Sequence, residues 1–255
     1  LFMSPFHFLQ KDKLSKSELN LEKRKDYRNI VYLQMIIVVS AMLLKEILAI
    51  SGVNLETSNL IRDVLFLILG FLYVLVLWDL LRNLINNVIV IEIMLIAIIC
   101  FYIIAIITVN PFYDFFSDAQ AKRPYLFAIH ITLFIIEALV IYYSVFDIFT
   151  GRKLSAEKIW GAACIFLMIG ISFGSLYDII NIIHPGSMGI PLELGLESYT
   201  VCIYYSMTII GGHDAFLEAI PVIQNLGIIE AVWSNLFIVL LVGRLLGKPD
   251  KEDEE

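Results

Sequence analysis

Six stretches of the chain, at about 29–51, 60–82, 88–109, 126–149, 157–183 and 224–246, each run for more than 20 predominantly apolar residues. About 20 such residues are what an α-helix needs to cross the hydrocarbon layer, where backbone polar groups must be satisfied within the segment. The stretches take up more than half of the 255 residues, so no room remains for a large soluble catalytic or nucleic-acid-binding domain. Composition agrees: 59% of residues are apolar and 17% charged, against about 45–50% and about 25% in soluble domains. The breaks between stretches, Gly52–Asn59, Asn83–Asn87, Asn110–Arg123 and Gly151–Lys153, are short and carry turn or charge signals. One helical bundle is expected, with no detached domain.

The basic residues orient this bundle. With both ends inside, the inner side holds 14 Lys and Arg: seven in residues 1–28, then Arg82, Arg152, Lys153, Lys158, Arg244, Lys248 and Lys251. The outer side holds Arg62, Lys122 and Arg123, and Lys45 lies within the first stretch. That asymmetry predicts a multi-pass protein of the plasma or inner membrane, with both termini cytoplasmic and an even number of spans. Residues 1–28 lack the apolar core and cleavage site of a signal peptide. Ser4–Pro5 as a cap and Phe6, Leu9 and Leu14 as a weak apolar side suggest a helix lying along the cytoplasmic face. Residues 248–255 read as an acidic cytoplasmic tail.

Residues 183–223 are neither a plain loop nor a crossing. His184, Pro185, Gly186 and Gly189 open them as an extended turret, and ESYTVCIYYSMT, Glu197 to Thr208, is an apolar stretch of about three helical turns. Ile209, Ile210, Gly211, Gly212, His213 and Asp214 follow. A short helix that enters the bilayer and returns through glycine-rich backbone is tolerated only where it is buried or lines water. A re-entrant pore loop is the expectation.

TIIGGHD at 208–214 and LGIIEAVWSNLFIVLLVGRLLG at 226–247 resemble the pore-loop ion channels of the potassium-channel superfamily, in particular their small prokaryotic members. In that family a pore helix runs into T-T-V-G-Y-G-D, and the inner helix carries a pattern like L-x-x-L-E-A-x-x-x-x-L-x-x-x-L-V-x-R-L-x-G. The motifs cover about residues 156–247, and the four preceding spans match by count alone. The resemblance implies an all-α homotetramer with six transmembrane helices per chain. It divides the chain into a basic cytoplasmic segment (1–28), a four-helix sensor-like domain (29–150), a pore domain (151–247) and the tail (248–255). It also implies a selectivity filter at Thr208, Ile209, Ile210, Gly211, Gly212, His213 and Asp214, passing monovalent cations.

Aligned on Gly211 and Asp214, the chain has Ile209 at the filter threonine, Gly212 at the tyrosine and His213 at the second glycine. These remove a hydroxyl ligand, a packing ring and a glycine conformation, so weak potassium selectivity is expected. Glu197, Asp214 and Glu218 read either as an acidic outer vestibule that concentrates cations or as an ordinary solvated loop. His213 reads as a structural filter residue before a proton sensor. On the inner helix Ser234, Ile238 and Val242, spaced by four, with Asn235 beside them, either line the lower pore and its gate or pack against lipid and neighbouring helices. Glu230 is expected to bond behind the filter, and Ser206 and Thr208 either join it there or bond back within their own helix.

The fourth stretch, Leu126 to Thr150, has no Arg or Lys, only His130, Glu137 and Asp147, so strong voltage gating is not expected. Asp79, Arg82, Glu92, Asp147, Lys45 and Glu46 read as snorkelling groups or structural ion pairs. His213 and Asp214 lack further ligands at zinc spacing, and no nucleophile with its base appears, so neither metal, cofactor nor enzyme is expected. The basic 1–28 segment serves either as the topology signal alone or as a site for a cytoplasmic anion: lipid, nucleotide or oligonucleotide. Were such a ligand to open a weakly selective pore, the membrane would depolarise. A channel-like protein that interacts without conducting is the competing reading.

Overall fold

The computed structural model describes residues 16–85, 88–113, 115–116, 118–149, 156–213 and 217–246. These form seven helices: α1 Lys16–Ile50, α2 Leu55–Leu84, α3 Val88–Thr108, α4 Ala119–Phe149, α5 Ala156–Ile183, α6 Leu196–Ile210 and α7 Pro221–Leu246. All but α6 are long and apolar enough to cross a membrane, as a multi-pass membrane protein requires.

The long helices alternate in direction, and side-chain pairs mark the two ends of the bundle. At one end Lys23, early in α1, meets Asp147 at the close of α4 at 2.7 Å, and Asn83 at the close of α2 donates to Asp26 at 2.6 Å. At the other end Lys45, late in α1, stands 4.0 Å from Glu197 in the first turn of α6. Asp79 and Arg82 also pair, so four of the charged groups expected to pair do so within the bundle.

The first of these contacts corrects one expectation. Residues 16–28 do not lie along a face as a separate helix; they are the opening turns of α1, which runs unbroken for 35 residues. Leu, Glu, Lys and Arg are good helix formers and no Gly or Pro interrupts them. Tyr27 and Ile30 are fully buried there, so packing as well as propensity continues the helix. Residues 1–15 and the 248–255 tail lie outside the described residues.

The central element is α5, which packs on α1, α4, α6 and α7. Its apolar side chains Cys164, Met168 and Ile171 share a core with Ile30, Leu77, Val140 and Ile203 from α1, α2, α4 and α6. Among the described residues α7 touches only α5 and α6, through the line Ile223, Gly227, Glu230, Ser234 and Phe237. Its other faces expose Ile228, Val232, Trp233, Leu236 and Val239.

Candidate functional site

The site is built around α6, whose 15 residues span about 22 Å. It starts level with the Lys45 end of α1 and stops against the middle of its neighbours. Ser206 donates to the Gly170 carbonyl, half-way along α5, at 2.7 Å, and Ile209 packs by Gly227 of α7. The chain then returns, since the Ile220 amide bonds the Ser187 carbonyl beyond the end of α5 at 2.9 Å. Close approach makes this descent possible. A Cβ added at Gly174 would sit 2.9 Å from Ile203 Cα and 3.1 Å from its nitrogen.

How α6 ends differs from an extended filter. Thr208, Ile209 and Ile210 remain helical, Gly211 is still right-handed, and Gly212 turns left-handed at φ +71°. The His213 amide bonds the Thr208 carbonyl at 3.0 Å and the Gly212 amide the Ile209 carbonyl at 3.1 Å. These two bonds define a Schellman cap, with Gly212 at the position where a Cβ is most costly. Carbonyls that an extended filter would aim at an ion here satisfy the chain's own amides, because each buried carbonyl needs a partner. Gly212→Ala is therefore expected to cost about 1 kcal/mol and to speed amide exchange in the last turn of α6. Unchanged exchange at Gly211–His213 would contradict the cap.

The remaining expected site residues divide. Gly211, Gly212 and His213 are exposed at the tip of α6, whereas Thr208 is buried and bonds back to the Tyr205 carbonyl at 2.7 Å. Glu197 is the Lys45 partner, Glu218 is exposed, and Asp214 lies outside the described residues. On α7, Asn235, Ile238 and Val242 are exposed in the single chain. Ser234 parts from them: it is buried against the bundle and its hydroxyl bonds the Glu230 carbonyl at 2.8 Å. This follows from helix geometry, for Ser234 lies on the Glu230–Phe237 line that packs inward.

Two buried carboxyls hold α6 in place. Glu230 accepts from Tyr177 of α5 at 2.6 Å and pairs with Ser206 of α6, so one group joins three helices. Glu230 thus bonds as a structural group, and of the two alternatives open to Ser206 the structure has partners outside its own helix. Asp178 of α5 takes the Ser198 hydroxyl of α6, and Asn181 donates to Ser198 at 2.9 Å. The Asn181 carbonyl oxygen accepts from the Gly186 amide at 3.2 Å, fixing the turn after α5. His130 of α4 brings Nε2 to 3.1 Å from the second Asp178 oxygen, and its ring lies 4.9 Å from that of Tyr199.

Compared with known families, curated proteins and solved structures, the chain finds no match. Sequence reasoning passed over Asp178, Asn181, Ser198 and Tyr177. A signal was present in α5, where Ser172, Ser175, Asp178 and Asn181 recur every three residues on one side of an otherwise apolar helix. Polar residues so spaced within a span mark a face turned towards protein.

Proposed function

We propose that the chain is the subunit of a homotetrameric pore-loop channel, permeable to monovalent cations and weakly selective for potassium, with α6 as its re-entrant half-helix. The observation that carries this is the course of α6: too short to span about 30 Å, it descends to mid-bundle, ends in an exposed glycine pair, and the chain returns. A helix C-terminus at that depth places its partial negative charge where a cation is otherwise poorly solvated. The α7 surface supports assembly, since its exposed faces include Asn235, a polar group better matched to a pore or another copy than to lipid. Four copies of one heterologous contact close into a ring.

Weak selectivity rests on the capped carbonyls of Thr208 and Ile209. Without a ladder of free carbonyls, a potassium ion has no dehydrating cage that sodium lacks. Restoring a filter by Ile209→Thr, Gly212→Tyr and His213→Gly thus also requires the last turn of α6 to unwind. Voltage gating is not proposed, because Lys122 and Arg123 stand together in the first two turns of α4 with no basic series beyond them, and its His130, Glu137 and Asp147 are turned to α5 and α1, towards Asp178, Ser175 and Lys23. The basic start of the chain is the proposed site for a cytoplasmic anion that opens the pore.

Bilayer recording under asymmetric salt tests the reading. Cation current with a reversal potential between the potassium and sodium limits is expected; one that follows chloride refutes a cation pore, and one that follows potassium alone refutes weak selectivity. The capped helix end also favours a second reading, a channel-like protein that binds partners without conducting. Absence of flux from a tetramer seen in projection would select it. For orientation, cysteines at Gln120 and Asn20 in a Cys100→Ser background should label from outside and inside respectively, Cys164 and Cys202 being buried.

A further inference from the structure

A second group of polar atoms lies between α1, α2, α4, α5 and α6, away from the glycine pair. Glu137 of α4 is fully buried, and its Oε2 accepts at most a long bond from Ser175 of α5, at 3.5 Å. Tyr73 of α2 and Ser172 of α5 stand beside the same carboxyl, Gln34 of α1 beside Tyr73, and Tyr199 of α6 beside Ser175. The Ser172–Glu137, Tyr73–Glu137 and Gln34–Tyr73 pairs are neighbours whose direct bonds are not closed, which leaves both amide atoms of Gln34, the Tyr73 hydroxyl, Glu137 Oε1 and Ser172 Oγ short of a full partner. Gln34, Tyr73, Glu137 and Ser172 are each at most 3% exposed.

Native interiors seldom leave one such atom short of a partner, and five gathered at Glu137 and its neighbour Tyr73 call for an occupant. The set mixes donors, the Gln34 amide and two hydroxyls, with acceptors, Glu137 Oε1 and the Gln34 carbonyl. A bare cation would face the Gln34 NH2 unfavourably. Water, which donates and accepts, fits every member. Among the described residues the other titratable groups facing Glu137 are Tyr73 and Tyr199, with the Cys164 thiol beyond Tyr73 and Asp178 and Cys202 beyond Tyr199, and α1 contributes Gln34. No fixed positive charge stands there to neutralise a carboxylate among these described residues.

We propose that Glu137 is a proton-binding site served by internal water between α1, α2, α4, α5 and α6. The proton arrives from the Lys45 end, along Asp178, Tyr199 and Ser175, because towards the Lys23 end Leu77, Val140, Cys164 and Met168 form a fully buried layer without water ligands. Proton uptake and release then alter the bonding of Tyr199 and Ser175, and so the seat of α6 on α5.

Infrared difference spectroscopy on the full chain in proteoliposomes tests this without reference to conduction. The expected result is a C=O stretch of a protonated buried carboxyl that fades with rising pH, shifts within minutes of transfer to D2O, and disappears in Glu137→Gln. Ser172→Ala and Gln34→Met keep Glu137 and should move the band, whereas Glu230→Gln should not; these variants decide the matter if Glu137→Gln does not fold. A Glu137 band that neither titrates nor exchanges shows a dry structural acid, and one that responds to sodium in place of pH shows a metal-cation site. Either overturns the proposal, as does the lack of any band lost with Glu137.

Discussion

Glu230→Ala is expected to destabilise the protein by about 2–4 kcal/mol, measured as unfolding in mild detergent. The substitution strands the buried Tyr177 hydroxyl and removes one of the two partners of Ser206, which keeps the Gly170 carbonyl. The stranded donor costs about 1–3 kcal/mol, and the lost Ser206 contact about 1 kcal/mol more. The loss should fall on the lower half of α6, whose Ser206 is held there by Glu230 and the Gly170 carbonyl. Glu230→Gln keeps the shape and one acceptor and should lose about 1 kcal/mol. Tyr177→Phe in the alanine background should restore part of the stability by removing one stranded hydroxyl. If Glu230→Ala unfolds within about 0.5 kcal/mol of wild type, the carboxyl is not what ties α6 to α5 and α7.

Gly174→Leu should have the larger effect on the position of α6. A Cβ at Gly174 meets Ile203 Cα at 2.9 Å, whereas carbon atoms in contact settle near 3.5–4.0 Å. The obstacle is backbone, so α6 must move as a whole and no rotamer change relieves it. Overpacking of this kind costs about 1–3 kcal/mol. Movement also strains the Ser198–Asp178 and Ser206–Gly170 bonds that flank Ile203 on α6. On the channel reading, cation flux should fall at least tenfold. Gly70→Ala is the control: it too lies mid-helix, yet nothing stands within 4 Å of its added Cβ. It should be neutral or stabilise by about 0.5–1 kcal/mol. Equal behaviour of the two glycines would show that α5 and α6 do not depend on close approach at Gly174.

The six long helices were legible because apolar runs of this length have one solution in lipid, and their interruptions carry Gly, Asn or charge. So was the short helix after Gly195, by its length and the glycines that follow it. A lone carboxyl within an apolar helix needs protein partners, and Glu230 has them in Tyr177 and Ser206. Its reading of 1–28 as a surface helix erred over 16–28, because charge reports solvent preference and not where a helix ends. Only the Lys23–Asp147 and Asn83–Asp26 contacts show that α1 starts early and stays packed.

The course of the chain around Gly211 and Gly212 could not be read from residue types alone. The same glycine pair serves an extended filter or a helix cap, and the choice depends on which donors reach the Thr208 and Ile209 carbonyls. In the folded chain they are the amides of His213 and Gly212. The Glu137 group was equally hidden, since its members lie on five helices and meet only when α5 is placed at the centre. Local pattern thus determined which segments are helices and which must leave water, for those follow from the solvent each residue prefers. Tertiary packing decided which buried polar groups are paired, where α6 stops and which face of α7 is covered, for those depend on neighbours distant in sequence.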